Sequence, residues 1–254
     1  KLVSDLLDLG IIENEKDLLV VLANFAVQLY YQSHNIPFSD NNVLLDFLSQ
    51  RHASNFDILI KDLIGNCTLD PALINKLLPA LSKGIHFVKG EDSLGFVYIS
   101  LRDISQRKSS GTYYTPEKVV GELIDRLYEN DADLKVKTIC DPCCGTGNFL
   151  LRLGVKGMDY ANLYGQDIDP VSVFLARINI ALVAPEMPTL NIRSRIIVGN
   201  TYFETFRKKF DVIVGNPPWG SDFSEEDVLR CRKLFKTAVG KSIESYDCDD
   251  EAYQ

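Results

Sequence analysis

Four short runs rich in β-branched residues alternate with helical stretches in the second half of this chain. The runs are residues 136–140, 163–166, 194–198 and 210–214, and the clearest helical stretch between them is 170–184. Strands that alternate with helices at this spacing form parallel sheets through right-handed crossovers. The pattern therefore predicts an open α/β sheet whose ligand site lies at the carboxyl ends of its strands.

The first hundred or so residues have a helical pattern instead. Asn14 is a suitable helix cap with Asp17 at the third helical position, and apolar residues then recur at intervals of three and four. Asp70 followed by Pro71 predicts another helix that runs to about Leu81. Several short helices with brief polar joints are typical of a small all-α bundle.

A glycine-rich, charged patch at residues 83–84 and 89–92 predicts a hinge after this bundle. We accordingly expect a helical domain over residues 1–92 and an α/β domain over residues 93–254. The helical half shows no cluster of cysteines, histidines or carboxylates, so its expected role is packing or docking.

Composition limits the classes of protein that remain. With 46% hydrophobic and 24% charged residues, the chain is neither disordered nor fibrous, and it has no apolar run long enough for a membrane span. The net charge of −8 argues against a self-sufficient nucleic-acid binder. The six cysteines are clustered rather than spaced as a disulfide framework, and the histidines lie far upstream of them. We therefore expect a cytoplasmic protein without a metal site.

The first motif that indicates chemistry is the glycine-rich segment 140–149, which follows the first predicted strand. Gly145 and Gly147 let the backbone pass close to a ligand at a helix start that offers free N–H groups. Leu150 occupies the third position of a dinucleotide fingerprint, so that motif is not met. Asp141 would oppose a pyrophosphate and favours a ligand with a cationic group, although it can also cap the loop.

A second carboxylate, Asp167, lies at the end of the second predicted strand, about 20 residues beyond the glycines. From that position a carboxylate can accept hydrogen bonds from both hydroxyls of a ribose. Asp169 is better explained as the cap of the helix that Pro170 begins. A nucleoside with a cation fits this pair of carboxylates, and S-adenosylmethionine has a ribose, a sulfonium and an ammonium group.

The segment 216–219, Asn-Pro-Pro-Trp, follows the fourth predicted strand. Such a turn can be ordinary loop punctuation. At this place in the sheet, however, it holds the Asn216 amide oxygen and the Pro217 carbonyl as acceptors for the two hydrogens of a planar NH2 group. Trp219 adds a flat face on which an aromatic base can stack.

Segments 141–149, 166–170 and 216–219 together resemble the N6-adenine DNA methyltransferases. The upstream segment 111–116, Gly-Thr-Tyr-Tyr-Thr-Pro, is similar to an element of the methylation subunits of type I restriction-modification systems and of fused restriction-methylation enzymes. The resemblance covers roughly residues 94 to 220. It implies a Rossmann-like fold, in which an S-adenosylmethionine-dependent methyltransferase sheet, here truncated, follows the all-α bundle.

The resemblance also implies a site. The cofactor-binding residues that it implies are Tyr114, Thr115, Pro116, Asp141, Cys143, Gly145, Gly147, Phe149, Asp167, Ile168, Asn200 and Thr201. Asn216, Pro217 and Trp219 would hold an adenine flipped out of the duplex, with no metal required. Asn200 and Thr201 depart from the family, which often has an Asp and then an apolar or aromatic residue there. Independently of the resemblance, Thr115 is a suitable helix cap before Pro116.

The implied function is methyl transfer from S-adenosylmethionine to the N6 atom of adenine in double-stranded DNA. Two alternatives stay open: a methyltransferase that acts on RNA or on a protein glutamine amide, and a non-catalytic cofactor-binding assembly subunit. Residues 220–254 show a capped helix start at Ser224 but no convincing further strand. We therefore expect the N-terminal portion of a larger enzyme, inactive alone, whose DNA-facing surface and specificity or restriction partners lie elsewhere.

Overall fold

The computed structural model describes residues 1–50, 55–102, 115–203, 206, 208–217 and 224–239. The chain divides into two compact units, Lys1–Trp219 and Gly220–Gln254. In the first unit a group of helices is followed by a parallel sheet with its own helices. This is the predicted fold class.

The helical part contains two helix caps that the sequence predicted, at the starts of α2 and α5. Its helices are α1 (Leu2–Leu9), α2 (Glu15–Ser33), α3 (Leu44–Ser49), α4 (Phe56–Ile64), α5 (Pro71–Leu81) and α6 (Ser93–Leu101). The Asn14 side chain accepts a hydrogen bond from the Asp17 N–H at 3.0 Å, and Asp70 accepts one from the Leu73 N–H at 2.8 Å. Both caps satisfy N–H groups that a helix start leaves without an internal partner.

From residue 117 onward, strands and helices alternate. The elements are α7 (Glu117–Asn130), β1 (Ile139–Asp141), α8 (Asn148–Val155), β2 (Leu163–Asp167), α9 (Pro170–Val183), α10 (Thr189–Arg195), β3 (Ile196–Val198) and β4 (Val212–Ile213). The strand order is β3-β2-β1-β4, and every pairing between them is parallel. Because the order reverses at β1, a crevice forms outside the carboxyl ends of β1, β2 and β4.

Three of the four strands are shorter than the sequence predicted, and β2 extends one residue further. A one-turn 3-10 helix at Leu134–Val136 occupies the start of the first predicted run, and Val136 is exposed. The third run was predicted from residue 194, but Ser194 belongs to α10, where its hydroxyl donates to the Asn191 carbonyl at 2.9 Å. Strand β4 has two residues because, among the described strands, it lies at the sheet edge and pairs only with β1.

Helix α2 lies at the centre of the helical part. Residues 20–31 are all buried, so the helix is enclosed on every side rather than on the single face that its periodicity predicted. The same apolar core includes Val171, Leu175 and Ile178 of α9. Helix α9 therefore packs in the core of the helical part, and its other buried side chains pack in a second core with the strands. The domain boundary between residues 92 and 93 stays a prediction.

Three amide side chains on α2 bind the extended backbone that runs beside it. Asn24 donates to the carbonyls of Asn41 and Leu81, both at 2.9 Å, and its own carbonyl accepts from the N–H groups of Val43 and Leu44. Gln28 and Gln32 repeat this pattern one and two turns later, on backbone groups of residues 41 and 83–87. We call these three amides and their backbone partners the amide ladder; their spacing of four residues is visible in the sequence, but hydrophobic periodicity does not predict their bonds.

Replacement of Asn24 by Ala is expected to lower the free energy of unfolding by about 3–5 kcal/mol, because it leaves several buried backbone groups without partners. Urea denaturation measures the change. The matched control is Asn130→Ala, at an exposed side chain that bonds only the Arg126 carbonyl, with an expected change within about 0.5 kcal/mol. Equal stability losses at the two sites would contradict the structural role of the amide ladder.

The second unit contains one helix, α11 (Glu225–Val239), within its described residues. The predicted cap at Ser224 is confirmed, since its hydroxyl oxygen accepts a hydrogen bond from the Asp227 N–H at 3.1 Å. Across the described parts of both units, no helix combines the length and the apolar character that a membrane crossing requires.

Candidate functional site

The glycine loop, residues 141–147, connects β1 to α8 at the switch point of the sheet. Asp141 ends β1, is 1% exposed, and accepts a hydrogen bond from the Cys143 N–H at 3.1 Å. Gly145 and Gly147 have φ values of 52° and 93°, a region that favours glycine. A Cβ added to Gly147 would lie 3.3 Å from the Cβ of Ala176 in α9. The two glycines thus allow a tight turn that packs closely on α9.

Burial makes Asp141 a weak acid. Desolvation raises its pKa to about 7, the bond from the Cys143 N–H lowers it, and the nearby Asp167 raises it further. The end of β4 approaches this carboxylate closely, since a Cβ on Gly215 would lie 2.6 Å from its Oδ1 atom. Any residue with a side chain would therefore displace the carboxylate at that point.

Asp167 fixes the turn that follows β2. Its Oδ2 atom accepts from the Gly145 N–H at 2.8 Å, and its Oδ1 atom accepts from the Asp169 N–H at 2.9 Å. An ionised carboxylate has about four acceptor positions, so Asp167 keeps acceptor capacity for a ligand hydroxyl beside these backbone bonds. The neighbouring Ile168 side chain is 67% exposed, as an apolar contact for a ligand ring requires.

The two carboxylates lack a cation. Among the described residues neither Asp141 nor Asp167 forms an ion pair, and burial is the main cause that raises the pKa of each. A ligand with a positive charge would lower both pKa values and relieve this unfavourable burial. A cation, a ribose and a flat ring are the parts of S-adenosylmethionine, so the residues present fit that cofactor.

The two thiols of the glycine loop and the neighbouring Cys140 thiol of β1 are not activated nucleophiles. Burial raises the pKa of Cys143 to about 11 and that of Cys140 to about 12, and it raises the pKa of Cys144 as well. Each thiol therefore stays protonated at neutral pH. Within the described ranges, no three histidines, cysteines or carboxylates are placed to hold a metal ion.

The segment that follows β4 meets the segment that precedes α7. The Asn216 side-chain amide donates to the Thr115 hydroxyl at 3.2 Å, and the Asn148 amide donates to the Thr115 carbonyl at 2.8 Å. These bonds bring together the predicted acceptor residue, the predicted cofactor residue Thr115 and the first residue of α8. Asn148 is not among the predicted site residues, although it directly follows the second glycine of the loop.

Helix α7 starts one residue later than predicted. Pro116 occupies the cap position instead of the first helical position, and Thr115 does not cap the helix. The reason is that Thr115 uses its hydroxyl and its carbonyl to bind Asn216 and Asn148. The predicted cap is therefore wrong.

The segment after β3 is hydrogen-bonded to the glycine loop. The Thr201 hydroxyl donates to the Pro142 carbonyl, and the Asn200 side chain accepts from the Tyr202 N–H at 3.0 Å. Phe149, the second residue of α8, is 6% exposed and packs in the apolar core formed by the strands and their helices.

Pro217 is exposed directly after Asn216. Tyr114 and Trp219 lie outside the described residues, so their roles stay predictions, as do the contacts of every other site residue with a ligand.

Comparison with known proteins gives the family. The N-6 DNA Methylase family matches residues 89–247. The type II methyltransferase M.VspI of Vibrio sp. (strain 343) is 33% identical over 136 residues, which are 54% of this chain and 32% of that protein. The type I restriction enzyme MjaIX methylase subunit of Methanocaldococcus jannaschii is 27% identical over 203 residues, which are 74% of this chain and 34% of that subunit. This chain thus spans about a third of the length of either relative.

Among solved structures, a modification subunit from Vibrio vulnificus YJ016 aligns with a TM-score of 0.44 and 20% identity, over 67% of this chain and 37% of that one. The family match includes the glycine loop, the turn at Asp167 and the segment after β4. It extends over more than half of the sequence. The chain therefore belongs to the N-6 DNA methylase family.

Proposed function

We propose that this chain contains the cofactor site and the methyl-acceptor site of an adenine-N6-specific DNA methyltransferase of a restriction-modification system. One observation supports this most strongly: the buried Asp141 and the half-buried Asp167 lie at the switch point of a parallel sheet, and among the described residues neither pairs with a cation. Gly215, directly before Asn216, approaches the Asp141 carboxylate. Methyltransferases of this family generally use S-adenosylmethionine. The proposed location is the cytoplasm, where that cofactor and DNA are both present.

When bound, S-adenosylmethionine supplies a methyl group on a positively charged sulfur. In the proposal, Asp141 pairs with the ammonium group and Asp167 accepts hydrogen bonds from the ribose hydroxyls. The backbone of the glycine loop passes beneath the methionine part, since Gly145 leaves open space where a Cβ would stand. Ile168 contacts the adenine ring of the cofactor with its exposed side chain.

The target adenine needs hydrogen-bond acceptors, because the lone pair of its NH2 group is delocalised into the ring. In the proposal, the Asn216 side-chain oxygen and the Pro217 carbonyl accept the two hydrogens and favour a pyramidal nitrogen. The Thr115 hydroxyl orients the Asn216 amide. Base flipping brings the nitrogen to this place, and Trp219 stacks on the flipped ring.

Positioning of two reactants accounts for much of the rate in this proposal, since good alignment can contribute about 7–11 kcal/mol. No covalent bond to the protein is needed, in agreement with the protonated thiols in and beside the loop. The proposed partners are double-stranded DNA and the specificity and restriction subunits, or fused domains, of such a system.

Transfer of a labelled methyl group tests the function. The full-length protein is incubated with methyl-labelled S-adenosylmethionine and, separately, with duplex DNA, RNA or protein, and the products are digested and separated. The expected product is N6-methyladenine from DNA. Label in RNA or in glutamine would favour the corresponding alternative substrate, and cofactor binding without any transfer would favour a non-catalytic subunit.

Replacement of Asp167 by Ala tests the ribose contact. Loss of two hydrogen bonds to a charged acceptor is expected to weaken S-adenosylmethionine binding about 100-fold. Isothermal titration calorimetry measures the affinity. The control is Asp159→Ala, an exposed carboxylate that caps the turn before β2, with unchanged affinity expected. An unchanged affinity for Asp167→Ala would show that the ribose assignment is wrong.

A further inference from the structure

A buried carboxylate lies where α6 meets the glycine loop. Asp92 is 1% exposed and accepts hydrogen bonds from the Gly95 N–H at 2.8 Å, from the Asn179 amide at 2.7 Å and from the Thr146 hydroxyl. The same Asn179 amide donates to the Thr146 carbonyl at 3.0 Å. Thr146 stands between the two glycines of the loop, so α6 and α9 both hold the loop at its centre.

Contact between α6 and the loop depends on a glycine in the helix. A Cβ added to Gly95 would lie 2.1 Å from the Asp92 Oδ2 atom and 2.1 Å from the Thr146 hydroxyl oxygen. Distances that short are not compatible with any side chain. Gly95 therefore lets the carboxylate and the hydroxyl meet against the helix backbone.

The C-terminal end of α6 contacts the turn that follows β2, which contains Asp167 and Asp169. The Tyr98 hydroxyl donates to the Asp169 Oδ2 atom at 2.8 Å, and Arg102 donates to the same atom at 3.2 Å. The Asp169 N–H in turn donates to the Asp167 Oδ1 atom at 2.9 Å. A chain of two hydrogen bonds thus connects Tyr98 with the carboxylate assigned to the ribose.

Packing of α6 onto the core does not explain its buried polar contacts. The apolar side chains of α6, among them Leu94 and Val97, already belong to the core of the helical part. Burial of a carboxylate costs free energy, and it raises the pKa of Asp92 to about 6. The buried contacts are directed at the glycine loop and at the Asp169 turn, which are the two segments that the proposed cofactor site uses.

We propose that α6 is a positioning element for the cofactor site, in which Asp92 orders the glycine loop through Thr146 and Tyr98 orders the Asp167 turn through Asp169. This inference rests on the proposed function, since it takes the two turns as the cofactor site. It gives the helical part, which includes α6, a role in cofactor binding, because α6 holds both turns in addition to the sheet.

Two pairs of variants test the proposal at pH 7.5, with affinity for S-adenosylmethionine measured by calorimetry and stability by urea denaturation. Thr146→Val removes the hydroxyl that binds Asp92 and is expected to weaken binding about tenfold, whereas Thr146→Ser restores most of the affinity. Tyr98→Phe is expected to weaken binding severalfold. Its control is Tyr128→Phe, which removes a buried hydroxyl without a hydrogen-bond partner in the described structure.

A second control separates positioning from general stability. Asp62 also joins the helical part to the sheet part, through ion pairs with Arg177 of α9 and Arg193 of α10, and in the described part of the chain its ion pairs do not involve the two turns. Asp62→Asn is expected to lower stability and to leave the affinity of the folded protein unchanged. Affinity losses that merely follow the stability losses across all variants would overturn the proposal.

Amide hydrogen exchange of the ligand-free protein distinguishes failure of this inference from failure of the proposed function. Faster exchange at residues 144–148 is expected in Thr146→Val and not in Asp62→Asn. If the wild-type protein did not bind S-adenosylmethionine, the proposed cofactor would be wrong, while faster exchange in Thr146→Val would still support positioning by α6. Normal cofactor binding with unchanged exchange and affinity in Thr146→Val would overturn the role of α6 alone.

Discussion

Replacement of Asn216 by Ala is expected to lower the rate of adenine methylation about 100- to 1000-fold, and to leave the affinity for S-adenosylmethionine within about threefold of the wild-type value. Loss of one positioned polar group that acts on the reacting atoms typically has an effect of that size on the rate. Single-turnover transfer of labelled methyl groups to duplex DNA by the full-length protein measures the rate, and calorimetry measures the affinity.

Substitutions of Thr115, whose hydroxyl orients Asn216 in the proposal, give a second and milder test of the acceptor site. Thr115→Val removes the hydroxyl that accepts from the Asn216 amide at 3.2 Å, and Thr115→Ser keeps it. We expect the Val variant to be roughly tenfold slower than the Ser variant, because a freely turning amide loses part of its alignment. Asn191→Ala, at an exposed position in α10, is the control with an unchanged rate. Near-normal methylation by Asn216→Ala would rule out the acceptor mechanism.

The affinity for S-adenosylmethionine is expected to rise with pH from 5.5 to 7.5. In the free protein the Asp141 pKa is about 7, so below that pH the carboxyl must lose a proton before it can pair with a cation. With one proton released, the affinity changes by about tenfold per pH unit well below pH 7, and the raised pKa of Asp167 makes the slope steeper. Above about pH 8 the amino group of the ligand loses its charge, and the affinity falls again.

Substitution of Asp141 measures how much of this pH dependence comes from its carboxyl group. Asp141→Asn is expected to bind S-adenosylmethionine about 100-fold more weakly at pH 7.5 and to lose most of the increase with pH. Calorimetry in two buffers with different ionisation enthalpies counts the protons released. Equal wild-type affinity at pH 5.5 and pH 7.5 would contradict the pairing of Asp141 with a cation.

The buried carboxylates Asp141 and Asp92 destabilise the ligand-free protein at neutral pH. The pKa of Asp141 is about 7 and that of Asp92 about 6, both above the ordinary value of an unfolded chain. As the pH rises from about 4 to 7, the unfolded state loses its protons first, so the free energy of unfolding falls. A bound cation reverses the Asp141 part of this effect, so ligand binding is expected to stabilise the protein most between about pH 7 and pH 8.

The sequence predicted the turns that carry the candidate site residues better than it predicted the interior. Asp141 and Asp167 follow strands whose β-branched character is local, and the cap at Asp169 depends on its immediate neighbours, so each was recognisable without tertiary information. Strand ends were less predictable, because β1 and β4 pair over only two positions and pairing depends on the partner strand.

Buried polar residues were the main omission. Asn24 and Asp92 are 0% and 1% exposed, yet a hydrophobic pattern assigns such residues to the surface. Their partners lie up to 87 residues away in the sequence, as with Asp92 and Asn179. Only the tertiary structure reveals that Asn24 joins segments within the helical part and that Asp92 connects this part to the glycine loop and to α9.

The central claim is that the ends of β1, β2 and β4 form an S-adenosylmethionine site. Amide hydrogen exchange with and without S-adenosylmethionine tests this claim most directly, since it locates the ligand along the chain. The account predicts slower exchange at residues 141–147 and 165–170, and little change in α2 and α5. Saturating ligand with no protection in those two segments, or with protection confined to the helical part, would contradict the account.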